Sequence, residues 1–252
     1  MRVVVLTRSE RGLASRFLRR LPLAGIDVAA VLLDTGAPTN RLRHYRTKAR
    51  KLRRRGPSIV PVALALRRVY AEAEGAGATS LRELSVRVER VRSVNAPEAR
   101  ELLAGLEPDL VVTLGSRLLT ERTFAIPPLG TVNVHHGSVP RFRGGPPVFW
   151  ELAEGEAEAG YIVHRIDAGV DTGPIYAEGA VPIERRSSVR ETILATVPVL
   201  YERSLDTLAE VLRAIAAGTA KPVPQAPATG PPHTSPRLGD YRRAAAALRA
   251  PR

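Results

Sequence analysis

Three short apolar runs, Arg2 to Leu6, Val28 to Leu33 and Leu110 to Leu114, constrain this chain more than any other feature. None of them alternates apolar with polar residues, so each reads as a strand covered on both faces, the pattern of a parallel sheet held between helices. Between the first two runs, Leu13, Phe17 and Leu21 recur at helical spacing. A strand, helix, strand unit joins parallel strands through a right-handed crossover and opens a doubly wound α/β domain. With 252 residues, 44% of them hydrophobic, the chain can bury one such core and a small appendage.

Several function classes drop out early. The turn after the first strand, Thr7 to Gly12, lacks the G-x-G-x-x-G spacing that a dinucleotide pyrophosphate needs, which argues against NAD or FAD. The absence of cysteine removes disulfides, thiolate metal sites and sulfur redox chemistry, and favours a reducing, cytoplasmic home. The apolar start stops at Thr7 and Arg8, short of a signal-peptide core or a membrane span, so no membrane partner is expected. A net charge of +13 would suit anionic partners if it were clustered. Much of it is compositional, with lysine only at Lys48, Lys51 and Lys221 and arginine supplying the rest, so high charge alone argues weakly for nucleic acid.

The expected organisation is one α/β domain over residues 1–218, with a mostly parallel, Rossmann-like twisted sheet, a basic helical insert within 36–94, and a Pro/Ala-rich helical tail over 219–252. Basic residues crowd from Arg41 to Arg55 and read as a solvated helix rather than an anion site. Val62, Leu66 and Val69 mark a packed helix, and Leu84 to Val94 a strand and turn. Asn95 as N-cap and Pro97 in the first turn start a helix reaching Leu106. Leu118 to Phe124 reads as a short helix, and Thr131 to Val134 as the next strand. Ser187, Ser188 and Glu191 form a helix-start signal for Val189 to Ala217, as one helix or two.

Functional residue types concentrate in two places. Asn133 and His135 are two apart on a strand, so they share a face at its carboxyl end, where open α/β sheets bind ligands. An amide beside an imidazole offers donors to a developing oxyanion without a nucleophilic side chain. The second place, Tyr161 to Pro174, reads as a strand ending at His164 followed by a glycine-rich loop that holds Asp167 and Asp171. A loop carboxylate can hold an imidazole charged or take a proton from an attacking amine. The D-x-G-x-D-x-G spacing partly mimics a calcium loop but lacks the closing glutamate, so no metal is expected. His136 faces away from His135 and reads as structural, and Trp150 with Phe149 as core. Arg141 and Arg143 suit either an anionic substrate or salt bridges.

Taken together, Asn133, His135, Pro140, Arg143-Gly144 and Asp171-Thr172-Gly173 resemble the folate-dependent formyltransferase superfamily. Its signature is an N-x-H strand end, a proline five residues on, an arginine-glycine pair and a distant D-T-G aspartate. The resemblance is specific from about Asn95 to Pro182, weak over 1–35 and lost over 36–94. It implies an enzyme that transfers a formyl group from 10-formyltetrahydrofolate, as co-substrate, to an amine. It further implies Asn133, protonated His135 and Asp171 as the catalytic group, and His164 as a neighbour of the site. By the same resemblance, Gly115, Ser116, Arg117, Leu118 and Leu119 face the folate ring, with Ile166, Asp167, Ala168, Gly169 and Val170 closing over it.

Arg141, Arg143 and His164 are the expected substrate contacts, and a small phosphorylated amine, such as a nucleotide-linked amino sugar, the expected acceptor. The short tail counts against tRNA, and a homodimer stays open. Two rivals remain: a 10-formyltetrahydrofolate hydrolase using the same residues, and a basic nucleic-acid-binding module on the same fold.

Overall fold

A computed structural model describes residues 1–36, 59–228 and 230–249. The run from Arg41 to Arg55 lies outside the described residues. In chain order the elements are β1 (Arg2–Thr7), α1 (Leu13–Leu18), β2 (Asp27–Asp34), α2 (Ile59–Gly75), a 3-10 turn (Leu81–Glu83) and β3 (Val88–Val91). They continue with α3 (Pro97–Gly105), β4 (Leu110–Thr113), α4 (Glu121–Phe124), β5 (Thr131–His135) and α5 (Phe149–Ala153). The last are β6 (Glu158–Arg165), β7 (Ile175–Pro182), α6 (Val189–Ala216) and α7 (Leu238–Ala247). The seven strands form one sheet in the order β3-β2-β1-β4-β5-β6-β7. The first five are parallel, whereas β6 pairs antiparallel with β5, and β7 with β6.

The unbroken apolar runs have the reason expected of them, because successive side chains enter different cores. Val3 and Val5 of β1, Val31 of β2 and Leu110 and Val112 of β4 face a large cluster with Phe17 of α1, Leu66 of α2 and Leu200 of α6. Val4 and Leu6, Ala30 and Leu32, and Val111 face the opposite side, under Leu103 of α3 and Leu106. Period-two geometry turns one apolar run into two buried faces.

Ser188 caps α6 by accepting the Glu191 N–H at 3.2 Å, and the helix runs as a single element through Pro198. It is tied to α1 by ions as well as by packing, since buried Arg16 and Arg20 both reach Glu202. One expectation is corrected. Ala96, not Asn95, caps α3, and the Asn95 side chain instead spans to the next loop, donating to Leu118 O at 2.9 Å and accepting from Thr120 N at 2.9 Å. The strand β7 carried no apolar run, since its exposed edge interleaves small and polar residues.

The tail does not trail away. Val223 exchanges both backbone hydrogen bonds with Ile175 at 2.8 Å, and α7 packs against α5. No helix among the described residues is long and apolar enough to cross a membrane.

Neighbouring positions on α6 offer a stability test. Leu200 is fully buried and Val199 is 48% exposed. Leu200→Ala should lower the unfolding free energy by about 2–5 kcal/mol and Val199→Ala by less than about 0.5 kcal/mol, read from urea unfolding. Equal effects would contradict the packing described.

Candidate active site

The parallel strands β1, β4 and β5 all end on one edge of the sheet, and β5 delivers Asn133 and His135 there. The antiparallel partner β6 sets His164 directly across from Asn133, beside an irregularity in its register with β7. The chain then turns through residues 166–174 and returns with Asp171 at φ +52°, a left-handed conformation that aspartate tolerates better than most residues. Strand pairing thus brings together Asn133, His135, His164 and Asp171, which the sequence scatters over 39 positions.

Hydrogen bonds fix the orientation of each group. Thr113 donates its hydroxyl to Asn133 Oδ1 at 2.7 Å, so the amide nitrogen must face the other way. That nitrogen donates to His164 Nε2 at 3.1 Å and lies 3.5 Å from Asp171 Oδ1. The first contact is a normal hydrogen bond; the second is at the outer limit, so one amide hydrogen is held only weakly. His164 donates Nδ1–H to the Arg165 carbonyl at 3.0 Å, leaving Nε2 as the acceptor. His135 donates Nε2–H to Phe142 O at 2.8 Å, and its Nδ1 faces Asp171 Oδ2 at 3.2 Å. Gly144 N–H completes the shell of Asp171 with a 2.9 Å bond to Oδ2.

Charge follows from this geometry. Burial alone would raise the Asp171 carboxyl, but the neighbouring His164 and His135 imidazoles and the Gly144 N–H outweigh it and hold the group at about 2. Burial lowers the His135 imidazole, and the opposing pull of Asp171 and the Phe142 carbonyl does not restore it. With Nε2–H committed to the Phe142 carbonyl, Nδ1 is the ring atom that faces the Asp171 carboxylate. Any proton arriving there is shared with Asp171.

These groups lie in one cavity of about 960 Å3. All ten positions expected around the folate ring line it: Gly115, Ser116, Arg117, Leu118 and Leu119, and Ile166, Asp167, Ala168, Gly169 and Val170. The hydroxyl of Ser116 is buried without a hydrogen-bond partner among the described residues. The two arginines expected to meet the acceptor are placed elsewhere. Arg141 points to the surface and pairs with Glu154 and Glu156. Arg143 is buried outside the cavity lining, and its guanidinium clamps two loops by bonding the carbonyls of Val170, at 3.1 Å, and Gly230. An arginine-rich stretch beside acidic Glu154 and Glu156 satisfies itself locally.

The sequence reading missed Arg8, Arg67, Tyr70, Glu74, Tyr201 and His233, all of which line the cavity. The signal for three of them was present, since residues 67, 70 and 74 fall on one helical face. His136, read as structural, also reaches the cavity wall, but its Nε2 bonds Ser204 at 3.0 Å and its ring packs on Tyr201.

A profile of the family described as "Formyl transferase" matches residues 1–197. The chain belongs to the formyl transferase family. It is 34% identical over 132 residues to the methionyl-tRNA formyltransferase of Koribacter versatilis, covering 52% of this chain and 41% of that protein. The chain spans less than half the length of the curated relatives it matches. Glycinamide ribonucleotide transformylase 1 from Symbiobacterium toebii has the same fold, with a TM-score of 0.58 at 22% identity over 86% of this chain and 88% of that one. So does WlaRD, a sugar 3N-formyl transferase crystallised in the presence of dTDP and 5-N-formyl-THF, with a TM-score of 0.52 at 13% identity over 90% of this chain and 66% of that one.

In this member of the formyl transferase family, the segment after α6 closes the site from behind. Gln225 donates to the carbonyls of Asp171, at 3.2 Å, and Gly173, at 2.6 Å. The His233 N–H bonds Arg143 O at 2.7 Å while its ring stacks on Trp150 at 4.5 Å. Two predictions follow from this packing. Gln225→Ala should leave the melting temperature within a few degrees of wild type but speed amide exchange at Asp171 to Gly173, because it frees the carbonyls that hold the left-handed turn; unchanged exchange would remove Gln225 from that role. Burial also pushes the His136 imidazole down to about 3. The unfolded ring gains a proton near pH 6.5 and the folded ring does not, so stability should fall as pH drops from 6.5 towards 3. His136→Gln should flatten that part of the melting-temperature profile.

Proposed function

We propose that this chain transfers the formyl group of 10-formyltetrahydrofolate to a primary amine of a phosphate-bearing acceptor. The observation that carries the reading is the Asn133 amide, with a weakly held hydrogen, beside the His135–Asp171 pair at the end of β5. The cavity wall suits the donor: Ser116 has a buried hydroxyl with no partner among the described residues, and Leu118 presents an apolar side chain 71% exposed. Gly115 to Leu119 and Ile166 to Val170 would hold the ring. When bound, that co-substrate supplies an electrophilic formyl carbon.

The rest is done by this chain. Asn133 turns its weakly held amide hydrogen from Asp171 towards the oxygen that gains negative charge, while Thr113 keeps the amide oriented. His135 takes the proton of the attacking amine at Nδ1, where the carboxylate of Asp171 stabilises the imidazolium that forms, and that proton passes to the folate nitrogen as its bond to the formyl carbon breaks and the new carbon–nitrogen bond remains. The bond from Nε2 to Phe142 O fixes the ring throughout.

The acceptor half of the cavity contains Arg8 and Arg67, exposed at its mouth. Guanidinium groups there suit a phosphate, and a nucleotide-linked amino sugar meets that description. A second reading is favoured by the relatives, whose names give methionyl-tRNA as acceptor. Both acceptors carry phosphate and an amine, and they differ in size.

Mass spectrometry of mixtures of protein, 10-formyltetrahydrofolate and each acceptor separates them by which one gains a formyl group. Asp171→Asn should lower turnover by about two to four orders of magnitude with the fold intact. Near-normal turnover would remove Asp171 from the mechanism. A folate analogue such as 5-formyltetrahydrofolate should raise the melting temperature of the wild type, as ligands bound only by the native state do. A well-folded sample showing no shift at saturation would overturn the donor assignment.

A further inference from the structure

A second recess adjoins the cavity and has no part in the proposed chemistry. It measures about 420 Å3, and Arg67, Tyr70, Gly145 and Thr234 line both it and the cavity, so the two meet between α2 and the segment after α6. No residue of the recess belongs to the folate-facing loops, which puts it on the acceptor's side. Among its described lining residues Arg67 is the single charged one, while Thr234 and Ser235 bring hydroxyls. An anionic group at that junction would meet a guanidinium and no carboxylate of the recess.

Thr234 follows His233, which lines the cavity itself. The His233 N–H bonds Arg143 O at 2.7 Å, and the residue pairs with Gly144 in a short parallel bridge. Its ring lies nearly parallel to that of Trp150, with centroids 4.5 Å apart, and to that of Phe142 at 5.8 Å. Trp150 is pinned in turn, since its Nε1–H donates to Thr234 O at 3.2 Å. The fit is close: a Cβ on Gly144 would come within 2.8 Å of His233 O, and one on Gly145 within 3.1 Å of His233 Cβ. Stacking engages the faces of the imidazole and leaves the nitrogens on its edge. They make no hydrogen bond among the described residues, and they are not sealed from the cavity. An imidazole carries at least one N–H in either protonation state, so this edge always has a donor to offer. The reaction centre is near, because Gly144 also gives its N–H to Asp171 Oδ2 at 2.9 Å. One small acceptor can therefore reach both places.

We propose that His233 is a specificity-determining residue: its ring N–H donates to a phosphate oxygen of the acceptor at the junction lined by Arg67, while the acceptor's amine lies at the end of β5. A donor and a guanidinium converging on one phosphate give it both charge and direction. This rests on the formyl-transfer reading only in calling the ligand an acceptor; the phosphate contact itself does not depend on it. His233 lies beyond residues 1–197, the part that the family profile matches, so the contact is a feature of this chain's tail and not of the shared domain.

The test uses the whole chain and two phosphate probes, with sodium sulfate at matched ionic strength as a control for salt. Inorganic pyrophosphate stands for the diphosphate of a nucleotide-linked sugar, and the trinucleotide CpCpA for the phosphodiesters of a tRNA end. Anion uptake driven by the net charge of +13 alone should not distinguish the wild type from variants at one imidazole. At least one probe is expected to raise the melting temperature of the wild type in a saturable way. His233→Phe, which keeps a stacking ring and removes both nitrogens, is expected to weaken the apparent affinity for that probe about tenfold, the scale of one hydrogen bond to a charged group. His233→Gln, which keeps an N–H without the ring, should fall between them. The probe that loses affinity in His233→Phe identifies the source of the phosphate.

The melting shift given by 5-formyltetrahydrofolate should be the same in all three proteins, which shows that each is folded. Absence of any effect of either probe on the wild type, or affinities for both that are equal in the wild type and His233→Phe, overturns the proposal. Loss of the folate shift in the wild type, with the phosphate result intact, would instead overturn the donor assignment and leave the phosphate contact standing.

Discussion

The buried negative charge of Asp171 is the constraint around which the site is built. Removing an isolated carboxylate from water costs several kcal/mol, so it persists in ionised form only where donors surround it. Here the groups around it come from three separate stretches of chain: Gly144 N–H from the loop after β5, His135 and Asn133 from β5 itself, and His164 from β6. Each of them is placed by something else, Asn133 by Thr113, His164 by the Arg165 carbonyl, and His135 by the Phe142 carbonyl. The charge is thus a reason for those segments to meet, and their meeting makes the charge tolerable. Its chemical value is the same fact seen from the other side, because the space between a carboxylate and an imidazole nitrogen is a place where a proton gains stability.

Much of this was legible in the sequence, and for identifiable reasons. The runs at β1, β2 and β4 carry their fold class openly, since a strand buried on both faces has to be continuously apolar. Asn133 and His135 were recognisable because strand periodicity puts them on one face, and Asp171 because its spacing from them follows a family pattern. Asp171 and the loops that would face the folate are also placed by backbone turns, which glycine marks in the sequence.

What was not legible depended on who else is nearby. Arg141 and Arg143 have the chemistry of anion binders, yet one finds Glu154 and Glu156 on the surface and the other finds carbonyls inside. Asn95 looked like a helix cap and is a brace for the loop after β4. The stretch after Thr219 has the composition of a loose tail, and nothing local distinguishes it from one. Its order comes from Gln225, which holds carbonyls 52 and 54 positions away, and from His233, which stacks on the distant Trp150. Long-range contacts of this kind leave no period to read.

That return of the chain has a consequence for the order in which the protein is made. Synthesis runs from the amino terminus, and compact units begin to fold as they emerge. All seven strands are available once Pro182 has been added, and α6 by Ala216. Gln225 and His233 come later, so a nascent chain can hold a finished sheet and still lack the back wall of its cavity. The loop bearing Asp171 gains these supports only when those residues leave the ribosome, which makes completion of the site a later event than sheet formation rather than a by-product of it.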